Sequence, residues 1–222
     1  MGAAPAAPRR LLVATRSRHK LCELGELLAL PASVELLSPD DLGIDGEPEE
    51  TGETFETNAR IKARYYARLS GLPTLADDSG LEVDALGGAP GVRTRRFAGP
   101  DATDEQNNEK LLRELAGLAP ERRGGRYVCV LALALPGDAG ERGALRIDVR
   151  RGTCRGRIAD GPRGAGGFGY DPIFEPEQEP PGGRTLGQWS AAEKHAISHR
   201  SRAAARMRPR LERLFGAVPV LP

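Results

Sequence analysis

Tyr127 to Leu135 is a nearly continuous apolar run, and it limits the fold more than any other stretch of the chain. A strand that alternates apolar and polar residues covers one face only. A strand apolar throughout must be covered on both, which calls for helices above and below a central sheet. Flanking segments supply the other parts of an α/β fold. Arg10 to Thr15 reads as a short buried strand, and Leu145, Ile147 and Val149 alternate as in a further one. After the first strand, Leu21, Leu24, Leu27 and Leu28 mark one face of a helix with Lys20 in its first turn. Phe55 to Ser70 is a second helix, closed by Gly71 and Pro73, with Ile61, Tyr65 and Leu69 on one face. Thr103-Asp104-Glu105-Gln106 and Ser190-Ala191-Ala192-Glu193 are capping boxes. The first opens a helix through Leu115 and the second a helix to Met207, before Pro209.

The chemistry concentrates at Leu75-Ala76-Asp77-Asp78-Ser79-Gly80-Leu81-Glu82-Val83-Asp84. Pro73 to Ala76 reads as the end of a buried strand, Ser79-Gly80 as a turn, and Leu81 to Asp84 as a half-buried strand. Two carboxylates beside an apolar strand end are costly unless cations or donors compensate them. Hard oxygen ligands suit Mg²⁺, and one of the two could accept a proton from water. The alternative is an Asx turn that only caps backbone.

Cations are grouped as well. Thr15-Arg16-Ser17-Arg18-His19-Lys20 sets three cations and two hydroxyls between a strand and a helix, where free N–H groups point at an anion. It lacks the glycines of a P-loop. Asn58 and Lys62 share a helix face and could reach one ligand. The acidic run from Asp40 to Glu53 could donate a metal ligand. Gly161 to Tyr170 holds five glycines and two aromatics suited to stacking on a planar ligand. His195 and His199 are four apart, as in helical zinc sites, but no glutamate follows the first and no third ligand is evident.

With a net charge of +1, no global field draws the chain to nucleic acid or membrane. The three cysteines lack Cys-x-x-Cys spacing and point to a reducing compartment. Without a signal-like apolar run in Met1 to Arg10, a cytoplasmic protein is expected. Its expected organisation is a loose tail over residues 1–9, one two-lobed domain over 10–216 and a short tail over 217–222.

Six segments, in order, resemble the inosine triphosphate pyrophosphatase family, hydrolases of non-standard purine nucleoside triphosphates. They are Thr15 to Lys20; Thr51-Gly52-Glu53-Thr54-Phe55 with Asn58-Ala59 and Lys62-Ala63; Ala76 to Leu81; Gly87-Gly88-Ala89-Pro90-Gly91; Gly166 to Pro172; and Glu193-Lys194 with Ser198-His199-Arg200. The resemblance implies an α/β fold with a long mixed sheet and two lobes around a cleft, and a homodimer. It also implies Mg²⁺-dependent attack of water that releases monophosphate and pyrophosphate. By position, Asp78 is the implied proton acceptor and metal ligand, Glu49 or the adjacent Glu50 the second acidic ligand, with Glu49 preferred, and Ser79 lies beside the substrate. Thr15, Arg16, Ser17, Arg18, His19, Lys20 and Lys62 would hold the triphosphate. Phe168, Gly169, Tyr170, Asp171, Lys194, His199 and Arg200 would hold sugar and base, with Arg200 and His199 donating to the 6-carbonyl of inosine or xanthosine.

This chain departs from the pattern twice. Ser17 stands where the family has Asn, which leaves one donor for two. Gly187-Gln188 replaces the common Ala-Glu and removes a charge. A septum-inhibitor-type nucleotide pyrophosphatase is the first rival, and the His199-Arg200 segment argues against it. A non-enzymatic nucleotide- or RNA-binding module is the second, and the Asp77-Asp78 pair and near-neutral charge argue against that.

Overall fold

The computed structural model describes residues 9–137 and 145–216. The expected tails at 1–8 and 217–222 lie outside the described residues, and Arg9 already belongs to the first strand. Six strands form one sheet in the order β2-β1-β3-β4-β5-β6. β1 (Arg9–Val13) runs parallel to β2 (Val34–Leu37) and to β3 (Thr74–Val83). β3, β4 (Gly124–Pro136), β5 (Leu145–Ile158) and β6 (Phe174–Pro176) are successively antiparallel.

The apolar run sits in β4, and alternation explains why it is unbroken. Cys129, Leu131 and Leu133 pack under α1 (Arg18–Leu28) and α5 (His199–Phe215). Val128, Val130, Ala132 and Ala134 pack under α2 (Phe55–Ser70) on the other face. A third core holds Leu81, Val83, Tyr127, Ile158 and Phe174 with Leu111 of α3 (Asp104–Glu114). β3 passes from the first two cores, at Leu75 and Ala76, to the third, at Leu81 and Val83. Asp77 to Gly80 lies between them.

Several sequence expectations are corrected here. Ser79-Gly80 is not a turn: β3 pairs with β4 without a break from Thr74 to Val83. Gly80 is required by proximity instead, since a Cβ there would lie 2.8 Å from Thr94 Cβ and 2.9 Å from the Gly91 carbonyl oxygen. The buried face of α2 is Phe55, Ala59, Ala63, Tyr66 and Ala67, whereas Leu69 is 56% exposed. Small alanines let this helix lie close against the sheet.

The last helical segment is two helices, α4 (Ala191–Ile197) and α5. Ser198 is extended (φ −62°, ψ 152°) and its hydroxyl caps α5. Pro209 lies inside α5, where an interior proline costs roughly 3 kcal/mol. Leu211 and Phe215, buried beyond it in the first core, offset that cost. At the other end α5 rests on the backbone of β5: a Cβ on Gly152 would meet His199 O at 2.1 Å. That close approach brings His199 and Arg200 to the middle of β3. Among the described residues no helix is long and apolar enough to cross a membrane.

Candidate active site

Successive side chains of a strand point to opposite faces, so Asp77 and Asp78 project to opposite sides of β3. Asp77 faces α1 and α5. Its carboxylate accepts from Lys20 Nζ at 2.8 Å, Ser79 Oγ at 3.0 Å, Arg200 Nε at 3.1 Å and Cys129 Sγ at 3.2 Å. Burial opposes its ionisation, but Arg200 and Lys20 hold it well below the usual carboxylate range. Arg200 is only 1% exposed; beyond Asp77 it donates to Glu23 at 2.8 Å and to Ser79 Oγ at 3.1 Å. Glu23, absent from the sequence-level candidates, completes a balanced set of two carboxylates and two cations.

Asp78 faces α2. Lys62 Nζ donates to it at 2.8 Å and lies 3.4 Å from Glu50 Oε1. Burial pushes the Asp78 carboxyl up to about 6; Lys62 works against that shift, while Glu50 and Asp77 add to it. Two carboxylates here share one ammonium, which leaves a negative charge over. The second of them is Glu50, the neighbour of Glu49 in the acidic loop. Asn58, expected to reach a ligand beside Lys62, is buried and accepts from Gly52 N at 2.7 Å, fastening the loop before α2.

β1 pairs with β3 only at Thr74 and Leu75, so past that point the edge of β3 opens toward Thr15 to Lys20. A groove of about 170 Å³ runs there, lined by Thr15, Arg16, Lys20, Glu50, Lys62 and Asp77. Ser17 caps α1 by accepting from Lys20 N. Arg16 is committed to the acidic loop: it pairs with Asp40 and Glu47 and donates to Ile44 O at 2.6 Å. Arg18 is exposed, and its charge helps lower the Asp41 carboxyl, after the hydrogen bonds from Ser38. His19 lies in the first turn of α1.

A larger cavity of about 340 Å³ adjoins the groove, lined by Ser79, Tyr127, Phe168, Asp171, Lys194 and His199 among others. The glycine segment forming one wall is anchored from α3: Gly169 N donates to Asp104 at 2.6 Å, and Asn108 Nδ2 to Gly169 O at 3.1 Å. Phe168 is 40% exposed, with Lys194 Nζ 4.5 Å from its ring centroid. Tyr170, the second expected stacking ring, also lines this cavity but is almost wholly buried against the third core, and it donates to Thr94 O at 2.8 Å. Asp171 is buried, pairs with Lys194 and accepts from Phe168 N and Tyr127 Oη. His199 stacks on Tyr127, centroids 4.9 Å apart. Burial, then Arg200, lower its pKa and keep the ring neutral. His195 lies on α4 and faces Glu26 at 3.9 Å, so the helix break at Ser198 separates the two histidines. Gln188 accepts from Thr185 N at 3.1 Å and closes a capping box before α4, a task for which an amide suffices.

The carboxylates suit a hard divalent cation. Mg²⁺ is commonly bound by one or two carboxylates with phosphate oxygens and water completing its shell. Asp78 and Glu50 approach a single ammonium and remain one negative charge in excess, while among the described residues no three His, Cys, Asp or Glu side chains are gathered as a metal-holding group.

Fold and site together define an α/β protein in which an aromatic cavity opens onto a groove of carboxylates and ammonium groups. The chain belongs to the Ham1 family, whose model matches residues 11–210. It is 48% identical to a dITP/XTP pyrophosphatase of an Anaeromyxobacter species, over 92% of this chain and 97% of that protein. To the dITP/XTP pyrophosphatase of Geobacter sulfurreducens it is 46% identical, over 91% and 96%. The solved Ham1 protein of Staphylococcus aureus superposes with a TM-score of 0.81 at 35% identity, covering 93% of this chain and all of that one. A nucleoside-triphosphatase / dITP/XTP pyrophosphatase of Mycobacterium abscessus gives 0.72 at 42% identity, over 90% and 99%.

Proposed function

We propose that this protein hydrolyses non-standard purine nucleoside triphosphates (ITP, dITP and XTP) to the monophosphate and pyrophosphate with Mg²⁺, clearing them from the nucleotide pool. The observation that carries this reading is the continuity of two unlike cavities. One has the size and aromatic lining for a purine nucleoside. The other, lined by Glu50 and Asp77 with Lys20 and Lys62, sets carboxylates and ammonium groups where its phosphates would lie. Relatives named for dITP and XTP support the choice of substrate.

Asp78 and Glu50 would hold the ion, with Glu49 adjacent in the loop. When bound, the ion would screen the phosphates and polarise the phosphorus–oxygen bond. Asp78 accepts the proton of a water that attacks the α-phosphorus. The bond to the bridging oxygen breaks, and pyrophosphate leaves with that oxygen. A carboxyl with a pKa of about 6 is ionised at neutral pH yet more basic than an ordinary aspartate. Lys62 keeps Asp78 ionised and oriented, Lys20 and the N-terminus of α1 face the phosphates, and Phe168 and His199 border the base.

Specificity for a 6-oxo purine rests on Lys194 and the N–H of His199. Arg200, expected to read the base, also lines this cavity and commits three of its five N–H groups within the protein. The same reading makes the enzyme a cytoplasmic homodimer, consistent with three unpaired cysteines and testable by light scattering. Phosphorus NMR of products from ITP, dITP, XTP and ATP tests the reaction. We expect monophosphate and pyrophosphate from the first three. Diphosphate with orthophosphate, or ATP turned over as fast as ITP, overturns the reading.

A further inference from the structure

A third cavity stands apart from the candidate active site. It holds about 440 Å³ and shares no lining residue with the aromatic cavity or the groove. Arg123, Arg157, Arg163, Asp160 and Glu175 line it, and no aromatic side chain does.

The strands bring these charges together. Arg157, near the end of β5, stands directly opposite Glu175 of β6, so the two project to one face of the sheet. Glu175 is 3% exposed. It pairs with Arg163, accepts from Gly182 N at 3.2 Å and lies 3.5 Å from Arg157 Nη1. Arg123 is 5% exposed and donates to the carbonyls of Leu115, Ile158 and Ala159. Its carboxylate partner is Asp160, 3.2 Å away, whose side chain is 88% exposed to solvent. Three guanidinium groups thus meet one buried carboxylate and one solvated one. Even with both counted, a positive charge is left over.

Donors are left over too. Arg157 Nη1 and Arg163 Nε are buried and have no hydrogen-bond partner. A buried donor without an acceptor is costly, and two beside one cavity are uncommon. Fastening β5, β6 and the loop after β5 needs neither of them. Arg123 already holds three carbonyls, and the backbone of Arg163 is pinned through Pro172 O and Thr185 Oγ1.

A compact oxyanion matches this chemistry. Guanidinium groups fit phosphoryl oxygens, and the lining offers no ring on which a base could stack. The volume exceeds the 340 Å³ or so of the aromatic cavity, which leaves room for two phosphoryl groups. We propose that this cavity is a second anion site, outside the active site, in which Arg157 and Arg163 bind pyrophosphate. The proposal concerns binding by the folded chain and stands whether or not the hydrolytic reading does.

The test is a titration of the full chain with sodium pyrophosphate, free of divalent metal, followed at the arginine Nε–H resonances by proton–nitrogen NMR. The Arg163 signal is assigned by its loss in Arg163→Lys. It should shift saturably, because its Nε–H gains an acceptor. Arg157→Gln should raise the apparent Kd by ~10-fold or more, the effect of one charge-assisted hydrogen bond. Asp160→Asn should lower it, because a carboxylate leaves the mouth of the cavity. That residue is exposed, so this variant decides the matter should Arg157→Gln fail to fold. Lys62→Ala, in the phosphate groove, should leave the Arg163 shift unchanged.

No saturable shift overturns the site, and so does a shift that sodium chloride at equal ionic strength reproduces. A shift abolished by Lys62→Ala belongs to the groove and overturns it as well. IMP moving the signal at lower concentration than pyrophosphate would make the occupant a nucleotide phosphate, and the pyrophosphate assignment would fail.

Discussion

Asp77 and Asp78 are the same residue in consecutive positions of one strand, and the fold treats them in opposite ways. On the α1 and α5 side, Asp77 and Glu23 meet Lys20 and Arg200 in a buried set whose charges cancel. On the α2 side, Asp78 and Glu50 meet Lys62 alone and remain one charge in excess. The first carboxyl is held well below its ordinary range and the second is raised to about 6. One side of the sheet is thus a finished electrostatic joint tying α1, α5 and β3 together. The other is left incomplete, which is the condition a proton acceptor and metal ligand needs. Adjacency in sequence does not produce a carboxylate pair here; a strand makes two sites from it.

The largest effect should come from the incomplete side. Asp78→Asn removes the proposed proton acceptor and proposed metal ligand, and turnover of ITP should fall by at least ~10²–10⁴. Stability should move the other way. With a folded pKa of about 6 against 3.8, the folded state holds a proton between those values that the unfolded state has lost. Stability of the metal-free protein therefore falls as pH rises through that window. Asn removes this penalty, so at pH 7.5 with chelator the variant should be more stable by about 1–3 kcal/mol in urea unfolding. An inactive variant that is also destabilised would show that Asp78 belongs to a structural joint like Asp77.

Asp77→Asn should give the mirror image. Removing one member of a buried ion network strands its partners and costs about 3–5 kcal/mol. Here the folded pKa lies below 3.8, so the stabilisation is present above that value and is lost as pH falls through the folded one. Thermal melts of the variant should show a lowered Tm at neutral pH and a flatter acid limb. A Tm within a degree of wild type would mean that Lys20 and Arg200 have other compensation, and the contrast between the two sides would collapse.

What could be read along the chain and what could not divide by the distance between partners. The unbroken apolar run of β4, the bounds of α2 and the four-residue capping boxes at Thr103 and Ser190 are local chemistry, and the structure bears each out. Gly80 was legible as a glycine but not for its reason, because Thr94 and Gly91 reach it across a loop. Arg200 looked like a free donor because Asp77 lies 123 positions away and Glu23 lies 177. Glu50 and Glu49 are indistinguishable in an acidic run; only the position of Lys62 separates them. Arg95 sits in a run of arginines, and nothing local marks it as the one that lines both cavities.

Arg200 provides the finest test of the two-sided picture, because it belongs by geometry to the Asp77 joint and by sequence pattern to the base pocket. Purines with a carbonyl at position 6 accept a hydrogen bond there, whereas adenine donates one. Lys194 can only donate, and it lies at Phe168 in the aromatic cavity, paired to Asp171. Lys194→Ala should therefore reduce the ratio of kcat/KM for ITP to that for ATP by ~10-fold, one charge-assisted hydrogen bond of about 1.4 kcal/mol. Lys194→Gln, which keeps an N–H, should retain part of the preference. Arg200→Lys retains a positive charge beside Asp77 while giving up the fork that spans Asp77, Glu23 and Ser79. Stability should suffer and both substrates should slow together, leaving the ratio unchanged. The opposite pattern, a ratio that moves with Arg200 and not with Lys194, would return Arg200 to the base and take it out of the joint. Phe168→Ala fixes the baseline, since stacking serves any purine and its loss should weaken ITP and ATP alike.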